Sequence, residues 1–78
     1  MAIRLTGDSV LDLNNVLQSQ RQEHLLSWQF GESGLQHQLT HYATVIYMGQ
    51  PIARGAGLSR GDAKQQAAAQ VLRLWGVI

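Results

Sequence analysis

The sequence predicts an α+β fold in the order α-β-β-β-α, a three-stranded antiparallel sheet with two helices packed on one face. Three observations point there. Apolar residues recur at three- and four-residue spacing near both ends of the chain, they alternate with polar ones in the middle, and glycines mark the junctions. With 78 residues, 45% of them hydrophobic and 14% charged, the chain has enough apolar material for one small core and not for two.

Residues 1–7, ending at Gly7, are expected to form a flexible N-terminus, and residues 8–78 the domain. Asp8 or Ser9 can cap a helix by accepting a backbone N–H from its first turn, and Val10, Leu13, Leu17 and Gln20 then follow helical spacing, which predicts a helix over residues 9–20. After a polar stretch, Leu26, Trp28 and Phe30 alternate with Ser27 and Gln29 as in a half-buried strand, ended by Gly31. Residues 32–36 form a polar connection containing Gly34. A second strand over residues 39–48 is rich in Thr, Tyr, Val and Ile, which suit a pleated surface. Gly49 and Gln50 supply a hairpin turn, and a third strand covers residues 52–56, with Pro51 suited to a strand start or edge. Ser59 and Asp62 have the spacing of a capping box. The helix they open carries Ala63, Ala67, Val71 and Trp75 one turn apart, with Ala68 and Leu72 beside them, and ends at Gly76. Its alanines permit close approach to the sheet.

Composition narrows the function classes. Without cysteine there is no disulfide framework and no thiolate metal site. No apolar run reaches membrane-spanning length, and the first ten residues hold one arginine and no apolar segment of the secretory kind. A cytoplasmic or nuclear chain, or a piece of one, is expected. His37 and His41 are four apart, but in a strand-forming run with no cysteine or acidic ligand nearby, so no metal is expected. No nucleophile and base stand together, Ser59 being explained as a cap; neither catalysis nor a cofactor is expected. The net charge of +1 does not by itself advertise a nucleic-acid partner.

The order and spacing of several short motifs say more. Gly34-Leu35-Gln36-His37 matches a Gly-Pro-x-His loop, and Gly55-Ala56-Gly57-Leu58-Ser59-Arg60-Gly61-Asp62-Ala63-Lys64 matches Gly-x-Gly-x-Ser-Lys-Lys-x-Ala-Lys. Ala67 and Ala68, then Leu72 and Trp75, follow without a gap, and Leu13-Asn14-Asn15-Val16-Leu17-Gln18 is similar to Leu-Asn-Glu-x-x-Gln. From about residue 11 to residue 76 the chain resembles the double-stranded RNA-binding domains.

That resemblance implies a partner, duplex RNA, recognised by its A-form shape with little sequence specificity. The surfaces read are 2′-hydroxyls in the shallow minor groove and the phosphates between successive minor grooves. It assigns three contact regions. Asn14, Asn15 and Gln18 on the first helix would meet 2′-hydroxyls and base edges; from residue type alone they are equally solvated polar positions. His37 in the loop after the first strand would enter a minor groove, where the alternative is a loop histidine bonded to its own backbone. Arg60 and Lys64 at the start of the second helix would hold phosphates, aided by the helix dipole, where the alternative is a solvated basic pair. Arg54 is a candidate auxiliary phosphate contact or simply a surface arginine.

The chain departs from the family pattern at Asn15, where an acidic residue is usual, at Leu35 and Leu39, which replace prolines, at His41, which replaces a core phenylalanine, and at Gly61, which replaces a lysine. Two basic residues where three are usual predict weak binding with about one fewer counterion released. The competing reading is a protein-interaction or homodimerisation module of the same fold. Tyr42, Ile46 and Met48, with Thr40 and Thr44, would then present a partly apolar patch on the open sheet face, next to a free strand edge.

Overall fold

The first helix, α1 (Ser9–Ser19), begins where Asp8 leaves extended backbone and its carboxylate accepts the Leu11 N–H. A computed structural model describes residues 5–78. Residues 1–4 of the expected flexible N-terminus lie outside them; Thr6, within that segment, is held by α1. Its N–H and hydroxyl both donate to Asp12 Oδ1 at 2.8 Å. Asp12 is only 3% exposed, so these two bonds supply the partners that a buried carboxylate needs.

α1 buries Leu13, Val16 and Leu17 beside Asp12. It stops one residue short of Gln20, which is exposed, because Arg21 adopts a left-handed φ of 56°. The Gln22 N–H then reaches Leu17 O at 2.8 Å and the Arg21 N–H reaches Gln18 O at 3.1 Å, the paired bonds of a Schellman motif. A short 3-10 turn, Glu23–Leu25, which hydrophobic periodicity does not announce, leads into the sheet.

The sheet has strands β1 (Leu26–Ser33), β2 (Thr40–Tyr47) and β3 (Gln50–Gly57), antiparallel and in sequence order. β1 does not stop at Gly31. It continues to Ser33 because Gly31, Glu32 and Ser33 pair with Tyr42, His41 and Thr40, and ladder pairing outweighs the entropic cost of a glycine in a strand. The hairpin turn also falls one residue earlier than the sequence suggests. Met48 and Gly49 both have positive φ, 52° and 82°, the signature of a type I′ turn, and Gln50 already belongs to β3. In β3, Pro51 pairs with Ile46 while Ala53 pairs with Val45, leaving Ile52 extra. This bulge lets consecutive residues Ile52 and Ala53 both rest on the core, which strict alternation would forbid.

The second helix, α2 (Arg60–Leu74), is capped by Ser59, whose Oγ accepts the Asp62 N–H at 3.1 Å. It ends in a second Schellman motif, with Gly76 at φ 74° and Val77 N–H bonded to Leu72 O. Ala63, Ala67, Ala68, Val71 and Leu72 face Ala43 and Val45 of β2 and Leu13 and Leu17 of α1 in one core. At the far end, Trp75 meets Tyr47 edge-on, with ring centroids 5.2 Å apart, and the Tyr47 hydroxyl donates to Gln22.

α2 lies unusually close to β3. A Cβ at Gly55 would stand 2.3 Å from Ala63 O and 2.5 Å from Ala67 N, so helix backbone rests on strand backbone there. Gly55→Ala is expected to lower the unfolding free energy by about 1–3 kcal/mol through overpacking, measured by urea denaturation. Stability equal to the parent chain would show that the helix can lift without cost.

Candidate functional site

At the start of α2, Arg60 and Lys64 stand one turn apart and both lean across the sheet toward β1. The Arg60 guanidinium lies 4.6 Å from the Phe30 ring centroid and the Lys64 ammonium 5.1 Å from the Trp28 ring. The two rings are themselves parallel within 5°, with centroids 6.2 Å apart. Each ring turns the negative face of its quadrupole to a cation. The cations thus stand on an aromatic shelf, beside the unpaired N–H groups of the helix start. Gly61 between them borders open space, a Cβ there meeting nothing nearer than Ser59 Oγ at 3.8 Å.

Lys64 also borders a groove of about 360 Å³ between the helices, lined by Gly61 from its own helix and by Asp8 and Asn14 from the side of α1. Asn14 and Gln18 are exposed on α1 and Asn15 is half-buried; Asn15 and Gln18 do not line this groove. Gln65 fastens the two helices at the groove. Its Oε1 accepts the Ser9 N–H at 2.8 Å and its Nε2 donates to Asp8 Oδ1 at 2.7 Å. The Gln65 bond, followed by the Leu11 N–H, holds the Asp8 carboxyl below its ordinary pKa.

The loop between β1 and β2 is set by Gly34, whose φ of 103° and approach to Gln38 O, 2.7 Å from a would-be Cβ, admit no side chain. The Gln38 N–H closes a turn onto Leu35 O at 2.8 Å, leaving His37 exposed within it. His37 shares a cleft with His41 and the exposed Leu58. His41 in turn borders a smaller cleft with Phe30, Glu32 and Arg60, its Nδ1 3.8 Å from Glu32 Oε2. Asn14 and Lys64 line one hollow, Arg60 and His41 a second, and His41 and His37 a third; the helical turn from Lys64 to Arg60 links the first to the second, so these residues form a row. His41, which stands where the family pattern has a core phenylalanine, is partly covered and faces Glu32.

Arg54 is not part of this row. It pairs with Thr44 on the sheet face that the helices leave open, and its guanidinium lies 4.3 Å from the Tyr42 ring centroid. Of the residues expected on an interaction patch, Tyr42 and Ile46 lie on β2, where they alternate with the core residues Ala43 and Val45. Tyr42 is covered by Arg54, Ile46 is half-buried, and Met48 sits in the hairpin turn rather than on the strand, 66% exposed. Periodicity marks Trp28 and Phe30 only as strand residues and carries no sign of their contact with the cations. The usable signal is the pairing of two periods, aromatics two apart on a strand and basic residues four apart on a helix.

No family model matches the chain. It is 40% identical over 68 residues to a protein named Ribonuclease 3 from Desulforamulus reducens. The match takes in 87% of this chain and 28% of that relative, so the chain spans under a third of the protein it resembles. Among the described residues no helix is long and apolar enough to cross a membrane, and no three His, Cys, Asp or Glu side chains gather as a metal site.

Asp8 offers a test of the helix-to-helix bridge. Its folded-state pKa is lowered, so the bond's contribution to stability is complete above the ordinary carboxylate value and is lost as pH falls through the lowered one. In Gln65→Leu the Asp8 carboxyl, followed by NMR from neutral pH downward, is expected to titrate at higher pH than in the parent chain. An unchanged midpoint would remove Gln65 as the principal cause.

Proposed function

We propose that this chain binds double-stranded RNA, reading the A-form duplex by shape with little sequence preference and modest affinity, and does no chemistry on it. The observation that carries the reading is the row from Asn14 through Lys64 and Arg60 to His37. Hydrogen-bonding side chains at its two ends flank cations at its centre. Duplex RNA presents that order of chemistry, with minor-groove hydroxyls on either side of major-groove phosphates. The chain is elongated, 45 × 27 × 16 Å, and so suited to contacts spread along a duplex. The 40% identity to a stretch of a protein named Ribonuclease 3 supports the same reading.

Modest affinity follows from the charges near the row. Asp62 occupies the first turn of α2, and Glu32 lines the cleft that holds Arg60. Both oppose an approaching phosphate.

The deciding measurement is a titration of matched duplexes of about 20 base pairs, long enough for a site of about 16, RNA against DNA at two salt concentrations. Preference for RNA with a salt-dependent affinity is expected; equal binding to both, or no RNA binding at low salt, refutes the proposal. Replacing Arg60 and Lys64 together by Ala should flatten the plot of log K against log salt by about one per lost phosphate contact while leaving the fold intact. Gly61→Lys fills open space and should do the reverse, tightening RNA binding and steepening the slope by about one.

A further inference from the structure

We propose that Phe30 is a positioning residue for RNA binding: with Trp28 it forms a shelf that holds the Arg60 and Lys64 cations at a fixed separation before the duplex arrives. This role rests on the double-stranded RNA reading and adds to it the device that arranges the phosphate contacts.

The geometry matches two different periods. One helical turn from Arg60 to Lys64 advances about 6 Å, and two residues of strand from Trp28 to Phe30 advance about 6.6 Å. The ring centroids fall 6.2 Å apart, so each cation finds a ring beneath it without either side chain leaving its element's natural repeat. Two cations held at that separation suit neighbouring phosphates of one RNA strand.

Phe30 has no comparable duty in the core. Trp28 packs against the buried cluster, whereas Phe30 is outside it and 39% exposed, with the Arg60 guanidinium above its face. Stacking suits arginine in particular, because the planar guanidinium can rest one face on a ring and keep its N–H edges free for phosphate oxygens. The nearby carboxylate of Glu32 does not take over the cation; it lies toward His41 Nδ1. A stacked arginine has already lost much of the rotamer freedom that binding would otherwise remove, and that loss no longer weakens the complex.

Phe30→Leu and Phe30→Tyr separate this role from simple packing. In the free chain, the Arg60 δ-methylene protons of the parent and of Phe30→Tyr should be shifted upfield by the ring, and the shift should vanish in Phe30→Leu. Against the RNA duplex, Phe30→Leu should bind about two- to fivefold more weakly, the size of an exposed cation–π contact. Its salt slope should match the parent's, because no charge has been removed. Phe30→Tyr should bind as the parent does, and thermal unfolding of both variants should show the parental midpoint within a few degrees. Unshifted Arg60 protons in the parent, or parental affinity in Phe30→Leu, would overturn the positioning role while leaving RNA binding standing. A parent chain that does not prefer RNA over DNA would overturn the binding reading and this role with it.

Discussion

The contact between the backbone of α2 and the backbone of β3 at Gly55 governs the rest of the molecule. With no side chain at Gly55 and only methyl groups at Ala63 and Ala67, the helix lies directly on the strand and its height above the sheet is fixed. Everything the helix presents depends on that height. Its inner side completes a core of small residues against Ala43 and Val45, and its first two turns come low enough for Arg60 and Lys64 to reach β1. Gly57 repeats the arrangement under Asp62 and Ala63, so both close approaches fall in the half of the helix that carries the cations. Fold and candidate site therefore share one steric requirement.

The same end of the molecule carries an electrostatic conflict. An acidic residue in a helix's first turn stabilises the helix, and Asp62 and the cap Asp8 do so at α2 and α1. Each also places negative charge where an anionic ligand would approach Arg60 and Lys64. The Asp8 carboxylate keeps its charge while accepting bonds from Gln65 and Leu11, whereas Asp62 has its backbone N–H, not its carboxylate, engaged with Ser59. A chain with net charge +1 can thus hold a local cationic feature, but one tempered by the residues that hold its helices in place.

Much of this was legible from the sequence, and what was not has identifiable causes. Both helices, the cap at Ser59, a first cap at Asp8 or Ser9, and the three strands follow from periodicity and capping chemistry, which are local. The errors fall where a partner distant in sequence decides. Gly31 reads as a strand end until Tyr42 pairs with it, and Met48 reads as strand until the register of β2 and β3 places it in the turn. Periodicity says nothing of the burial of Asp12, which Thr6, six residues earlier, makes tolerable with two hydrogen bonds. At the candidate site, it is the resemblance to the double-stranded RNA-binding domains that points to Asn14, His37, Arg60 and Lys64, since their residue types alone fit solvated positions as well. The shelf beneath the two cations could not be read, because it joins α2 to a strand about 30 residues away in sequence.

The three parts of the row are held by separate devices. Gly34 and the Leu35 to Gln38 turn set His37, the Gln65 bridge sets the α1 groove, and the Trp28 and Phe30 shelf sets the cations. Among the described residues no hydrogen bond or stacked ring is common to two of them. This matters for how the missing loop prolines are judged. A turn closed by its own backbone bond and by a glycine that admits no Cβ is already restricted, so replacing proline with Leu35 and Leu39 removes one source of rigidity and leaves another. The departure at Gly61 has no such substitute, since nothing else in the first turn of α2 supplies a third cation. The deficit in the row is therefore one of charge at its centre rather than of shape at its ends, and a duplex would be oriented better than it is held.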